Sequence, residues 1–303
     1  MTQIRYNTGD LITLVTTAPG SSTYQSATGN LINLPLEKKC HGACEAQKNL
    51  PSKIKILLLA VIQLLLLSAC LRPRPAEIPM AFEFFSTGSS STDELIVFLP
   101  GRGDDIDAFQ RAGFIDMLME SDRPLDAVVA DAHLGYYYQG VLADRVHQDI
   151  LLPFQQKGYK RFIIVGSSLG GYGSLWINHE YKDLIPGIVL LAPYLGKKSV
   201  INEIESAGSL NAWRSQLEGE PTPDDKVWLW IADLANRETP ETPSVIVATG
   251  KKDKFSESAG LLSRSLPDSR LFLNNGGHDW KTWSALWAEI LTSPEWKKLV
   301  YIE

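Results

Sequence analysis

Arg161-Phe-Ile-Ile-Val-Gly-Ser-Ser-Leu-Gly-Gly171 sets a β-branched run directly against a turn of small residues, and residues 172–179 continue at helical spacing. The pattern Gly166-x-Ser168-x-Gly170 between a strand and a helix marks the sharp turn that lifts a serine nucleophile above the edge of a sheet. The glycines have a physical reason, because strand and helix pass so closely there that a side chain would not fit. A bare G-x-S-x-G arises often by chance, and Ser167 read alone is a turn residue. The flanking strand and helix patterns are what single out Ser168 as the candidate nucleophile.

The same alternation extends outward on both sides. Continuous apolar runs at 95–99, 127–130, 187–191, 244–249 and 270–273 suit strands buried on both faces. Before residue 93 only 81–86 qualifies as a strand. Helical spacing occupies 106–119, 141–157, 169–180, 256–265 and 280–291. This order predicts an α/β domain over 81–303, with a mostly parallel central sheet flanked by helices. The interval 196–238 breaks the rhythm with an amphipathic stretch at 200–217, a loop at 219–223 and the aromatic run Val227-Trp-Leu-Trp230. It reads as a small helical, lid-like insertion over the sheet.

A serine nucleophile needs a base, and in this architecture the acid and then the histidine follow it in the chain. His147 and His179 sit inside expected helices as surface or packing residues, and His133 ends a strand before the serine, where it is a candidate pocket residue. His278 follows the last strand in Asn274-Asn-Gly-Gly-His-Asp-Trp280, whose glycines free the loop to turn an imidazole toward Ser168. Asp253, just past the strand at 244–249, fits the acid that orients the imidazole. A loop aspartate or helix cap is the plainer reading of Asp253, and Asp279 is its weaker rival. The oxyanion of a tetrahedral intermediate needs backbone donors. Leu169 N–H is one; the other comes from the loop Leu99-Pro-Gly-Arg-Gly-Asp-Asp105, with Arg102 N–H favoured by position and Gly103 as the alternative. The Arg102 guanidinium is expected to pair with Asp104 or Asp105, with an anionic substrate as the alternative partner, and those two acids are expected to cap a helix rather than bind a metal.

Across roughly 93–292 the chain resembles serine hydrolases of the α/β-hydrolase superfamily. Gly166-Ser-Ser-Leu-Gly-Gly-Tyr-Gly173 and Gly277-His-Asp-Trp-Lys-Thr-Trp283 are similar to the esterase group that includes esterase D. The resemblance implies carboxylic-ester hydrolysis through an acyl-enzyme, without a cofactor, with Ser168, Asp253 and His278 in the matching motifs. Pro100 stands where that group usually has a histidine before the glycine, which leaves the second oxyanion donor open. Tyr136, Tyr137, Tyr138, Tyr194, Trp213, Trp228 and Trp230 are candidates to line an apolar acyl pocket.

The first seventy residues read differently. Ile56-Leu-Leu-Leu-Ala-Val-Ile-Gln-Leu-Leu-Leu-Leu-Ser-Ala69, after Lys53 and Lys55 and before Cys70, has the layout of a signal peptide over 53–69. It is short for a membrane span, and a buried core helix is the alternative. Its ending, Leu67-Ser-Ala-Cys70, resembles the lipobox of bacterial lipoproteins, which implies lipidation at Cys70 and anchoring in the bacterial cell envelope, facing the periplasm or the surface. Residues 70–80, rich in proline, are expected to be a tether. Residues 1–52 are then a non-native or disordered extension, from a start assigned too far upstream; no Met lies between Met1 and Met80. Cys40-His-Gly-Ala-Cys44 has no second ligand cluster and is not read as a metal site.

Composition fits these expectations. With 303 residues, a net charge of −6 and no long basic run, nothing marks a nucleic-acid partner. All three cysteines precede residue 71, so the domain beyond holds neither a disulfide nor a cysteine nucleophile. The expected partner is a small-molecule or lipid-like ester, besides the membrane. A thioesterase, amidase or acyltransferase would use the same triad, and a lipoprotein that only binds would keep the fold without the chemistry.

Overall fold

The computed structural model describes residues 4–5, 51, 54, 56, 59, 74–88, 93–237, 243–266 and 268–300. Arg74–Glu303 with Met1–Thr8 make one compact unit and Gly9–Pro73 another; of the second, only Pro51, Ile54, Ile56 and Leu59 are described, the last three helical. The expected extension, signal peptide, Cys70 and the Cys40–Cys44 pair therefore lie almost wholly outside the described residues. No described helix is long and apolar enough to cross a membrane.

The larger unit is organised by one sheet. Its strands are β1 (Ile4–Arg5), β2 (Phe82–Phe85), β3 (Glu94–Leu99), β4 (Asp126–Ala130), β5 (Arg161–Ser167), β6 (Gly187–Leu191), β7 (Ser244–Gly250) and β8 (Arg270–Asn274), in the spatial order β1-β2-β4-β3-β5-β6-β7-β8. Strands β3 to β8 run parallel, while β2 lies antiparallel on β4, with Phe82 opposite Ala130, and carries β1 on its other edge. Every residue of β3, β4 and β6 is buried. Side chains of a strand alternate between faces, so these runs feed two cores. Leu95, Val97, Ile164 and Ile188 enter one; Ile96, Phe98, Ile163 and Val189 enter the other. Glu94 and Asp126, at the starts of β3 and β4, are the charged exceptions, and Glu94 is 1% exposed between Arg123 (2.6 Å) and Arg161 (2.7 Å). Burial raises its pKa against the pull of those two cations.

The helices are α1 (Ala108–Arg111), α2 (Phe114–Met119), α3 (Leu134–Tyr138), α4 (Leu142–Val146), which passes through a π turn (His147–Leu151) into α5 (Leu152–Gln156), α6 (Leu169–Glu180), α7 (Lys198–Ala207), α8 (Leu210–Gln216), α9 (Pro223–Ala235), α10 (Ser256–Ser265), α11 (Trp280–Thr292) and α12 (Pro294–Val300). The single helix expected over 106–119 is two, because Gly113 at φ +80° breaks it. The insertion at 196–238 is helical as expected, and its aromatic run lies inside α9. It is fastened to the rest: Trp228 Nε1 donates to Leu195 O at 2.7 Å, Tyr194 Oη to Asp224 at 2.7 Å, and Lys198 pairs with Glu257.

The tether expected over 70–80 is corrected from Arg74 onward. Arg74 pairs with Asp131, the Tyr136 hydroxyl donates to Glu77 O (2.9 Å) and accepts from Glu77 N (3.2 Å), and Met80 N donates to Asp149 (2.8 Å). Met80 itself is buried. Side chains of α3 and the π turn thus satisfy the backbone of this segment, which is a strap on the domain rather than a free spacer.

Candidate active site

Strand β5 ends at Ser167 and α6 begins at Leu169, so Ser168 alone makes the turn between them. Its backbone sits at φ 49°, ψ −111°, a conformation that costs a non-glycine residue about 1–3 kcal/mol. Three backbone bonds hold it there: Ser168 N to Leu191 O (2.8 Å), and Gly171 N (3.0 Å) and Tyr194 N (2.8 Å) to Ser168 O. The close approach inferred from the glycines is real. A Cβ on Gly166 would lie 2.3 Å from Gly170 O, and one on Gly170 2.0 Å from Leu99 O. Ser167 is fully buried, which leaves Ser168 as the reachable hydroxyl.

His278 arrives from the loop after β8. Its Nε2 lies 3.1 Å from Ser168 Oγ, and its Nδ1 lies 3.0 and 2.9 Å from the two Asp253 oxygens. The Asp253 side chain is wholly buried and the imidazole 21% exposed. Asp253 also accepts from Phe255 N (2.8 Å), which fixes the carboxylate in its own loop. Main-chain bonds join the two loops, Lys251 N to Asn274 O (2.8 Å) and Lys252 N to Gly276 O (2.9 Å). Asn274 Oδ1 accepts from Gly276 N and Thr282 Oγ1 from Gly277 N, which sets the path of the chain into His278. Asp279, the rival acid, instead caps α11 by accepting from Thr282 N (2.9 Å). That bond, with those of the Thr282 hydroxyl and the Gly277 N–H, keeps its pKa below the usual carboxylate range.

Leu169 N–H opens α6, where the first turn has no intrahelical acceptor. Opposite it, Asp104 N donates to Gly101 O (3.2 Å), which makes Arg102 and Gly103 the central residues of a turn, with Gly103 at φ +87°. Both candidate donors are therefore held in that turn, and a Cβ on Gly101 would lie 3.3 Å from Ser168 Cβ. The Arg102 side chain is exposed, and the expected pairing with Asp104 or Asp105 is corrected: Asp105 takes Arg111 (2.8 Å), and Asp104 accepts from Trp280 Nε1 (3.2 Å). Neither acid caps α1; the N-cap position belongs to Asp107, whose N–H donates to Asp105 (3.2 Å).

Comparison with known proteins then decides the family. A family profile described as "Putative esterase" matches residues 106–293, more than half of the chain. The chain belongs to this esterase family. It is a hydrolase with the α/β-hydrolase fold. Among solved structures, the esterase is similar to a ferulic acid esterase at 14% identity, covering 73% of this chain and 94% of that one with a TM-score of 0.50. It is likewise similar to an apo S-formylglutathione hydrolase from Staphylococcus aureus at 15% identity, with the same coverages and TM-score. At these identities the likeness concerns the fold. No curated protein matches the sequence.

In the esterase, the remaining candidates take other places. His133 caps α3, accepting at Nδ1 from Gly135 N (3.1 Å), and burial followed by the positive Arg74 lowers its pKa. His147 stacks on Tyr181, and His179 lies beside Trp230 and Asp233. Of the aromatics expected to line an acyl pocket, Tyr136, Trp213 and Trp228 are buried in the core and Tyr138 is exposed. Tyr194 is nearest the triad by contact: it packs on Phe255 (5.6 Å between ring centres), which packs edge-on against His278 (5.0 Å). From Tyr194 the row runs on through Tyr172 to Trp230 and Tyr137. Trp283 meets the imidazole at 4.9 Å and 88°. Sequence reasoning missed Phe255 and Trp283 as neighbours of the base, although the first follows Asp253 by two positions and the second follows His278 by five.

Proposed function

We propose that the esterase cleaves carboxylic esters through an acyl-enzyme on Ser168, and that it acts while held at a membrane by lipid on Cys70. The observation that carries the chemistry is the unbroken relay from Ser168 Oγ through His278 to a buried Asp253. His278 Nε2 takes the Ser168 proton as Oγ bonds to the carbonyl carbon, and the imidazolium that forms is stabilised by Asp253 at Nδ1. The oxygen that becomes negative is met by Leu169 N–H and by Arg102 or Gly103 N–H. As the carbon–oxygen bond to the alcohol breaks, His278 returns the proton to the leaving oxygen. A water then repeats the sequence on the acyl-enzyme, giving its proton to His278 and its oxygen to the acid product, and Ser168 is restored. The anchoring rests on the lipobox-like Leu67-Ser-Ala-Cys70. Acyl chains contribute roughly 0.8 kcal/mol per buried CH₂, so two or three hold a domain without a spanning helix.

The chemistry is tested with a chain-length series of p-nitrophenyl esters and a fluorophosphonate label. Wild type should turn over and label at Ser168, and Ser168→Ala should lose both, with turnover down by several powers of ten. Equal inertness of both proteins toward every ester and the label would end the proposal. The anchor is tested separately in bacteria expressing the full chain, where Cys70→Ala should move the protein from the detergent phase to the aqueous phase.

A further inference from the structure

Asp104 lies against the nucleophile with one oxygen uncommitted. The carboxylate folds back over Gly101, so that a Cβ there would be 2.8 Å from Asp104 Oδ2 and 3.3 Å from Ser168 Cβ. Oδ2 is therefore within about 6 Å of the Ser168 Cβ. The other oxygen, Oδ1, accepts from Trp280 Nε1 at 3.2 Å. Trp280 follows His278 by two residues, so Asp104 bridges the oxyanion loop to the histidine loop. His278, on that loop, is the group proposed to return its proton to the leaving oxygen. Among the described residues Oδ2 has no hydrogen-bond partner and Asp104 no ion pair. Arg111, a cation that feels its charge, bonds Asp105 instead.

A negative charge so close to a forming oxyanion opposes the chemistry unless something positive sits beside it. No cation among the described residues forms an ion pair with Asp104, and a substrate can supply one. We infer that Asp104 selects the leaving group, and that the esterase favours esters of alcohols carrying an ammonium a few bonds from the ester oxygen. The ammonium docks on Asp104 Oδ2 while the acyl group occupies the other side of Ser168. Leaving groups that carry a carboxylate are disfavoured by the same charge. This inference rests on the hydrolase reading above and goes beyond it in naming the alcohol.

The test compares a choline ester with its 3,3-dimethylbutyl counterpart, which has the same shape with carbon in place of nitrogen. Wild type should show the higher kcat/KM for the choline ester, and Asp104→Asn should lower the ratio of the two values roughly fivefold, the size of a partly exposed charge pair. The ratio is read on whatever fraction folds, so a general loss of active protein does not imitate the effect. Should Asp104→Asn fail to fold, Trp280→Phe keeps an aromatic ring, smaller than the indole, but removes the N–H that orients the carboxylate, and it should lower the same ratio. A wild-type ratio of one, or a ratio unchanged in the variant, overturns the inference. Inertness toward both esters together with failure of fluorophosphonate to label Ser168 would instead sink the hydrolase reading itself.

Discussion

Replacing Asp253 by Asn asks how much of the catalysis depends on a charge rather than on a shape. The side chain is fully buried and both oxygens sit about 3 Å from His278 Nδ1. When the imidazole takes the serine proton, a full positive charge appears with its centre about 4 Å from the carboxylate. At an effective dielectric near 20 that pair is worth about 4 kcal/mol, or roughly a thousandfold in rate. An amide can also donate to Nδ1, which leaves the proton on Nε2, the nitrogen that must accept it from Ser168; this raises the expected loss toward 10⁴. The measurement is kcat for p-nitrophenyl acetate, with thermal unfolding to confirm that the variant is folded. Asp279→Asn is the control, because Asn caps a helix as well as Asp does and Asp279 touches Thr282 rather than the imidazole. An Asp253→Asn rate within tenfold of wild type, or an equal loss in Asp279→Asn, would refute the reasoning.

Gly170→Ala should prevent accumulation of folded protein or lower stability by more than about 3 kcal/mol, since its Cβ would meet Leu99 O at 2.0 Å and neither backbone can yield cheaply; denaturant titration reads the cost. Arg161→Met leaves Glu94, 1% exposed, with Arg123 as its remaining ion-pair partner, and should cost about 3 kcal/mol in the same assay. Tyr136→Phe removes both bonds to Glu77; about 1–2 kcal/mol should be lost, and limited proteolysis should begin to cut within residues 74–80. The folded-state pKa of His133 lies below its ordinary value. The unfolded chain therefore takes up that proton first, and stability falls as pH drops from about 6.5 toward the lowered value and is constant above. Chemical denaturation between pH 5 and 7.5 should show this slope in wild type, and less of it in His133→Asn.

The central strands were legible because they are buried on both faces. Leu95–Leu99, Arg161–Val165 and Gly187–Leu191 contain no polar alternation to confuse with a helix, and each lies within a strand of the structure. The turn at Ser168 and the loop carrying His278 were legible for a different reason, since a strained turn and a glycine-rich loop both leave marks in composition. Helix α3 left none: five residues are too few for a period, and the bonds of the Tyr136 hydroxyl to the strap are a tertiary fact. The break at Gly113 was hidden inside an apolar pattern that continues across it. The contact between Asp104 and Trp280 was hidden as well, because the two residues lie 176 positions apart.

The bonds from Lys251 to Asn274 and from Lys252 to Gly276 make the loops of Asp253 and His278 a single mechanical part. Ser168 belongs to another part, the junction of β5 and α6, and among the described residues one hydrogen bond of 3.1 Å joins the two. Misalignment on warming or on partial unfolding should therefore have one degree of freedom that matters, the sliding of the β7–β8 loops past β5. A protein warmed toward its transition would lose turnover while the imidazole still kept its carboxylate. The histidine ring-proton resonance would survive to higher temperature than the activity does.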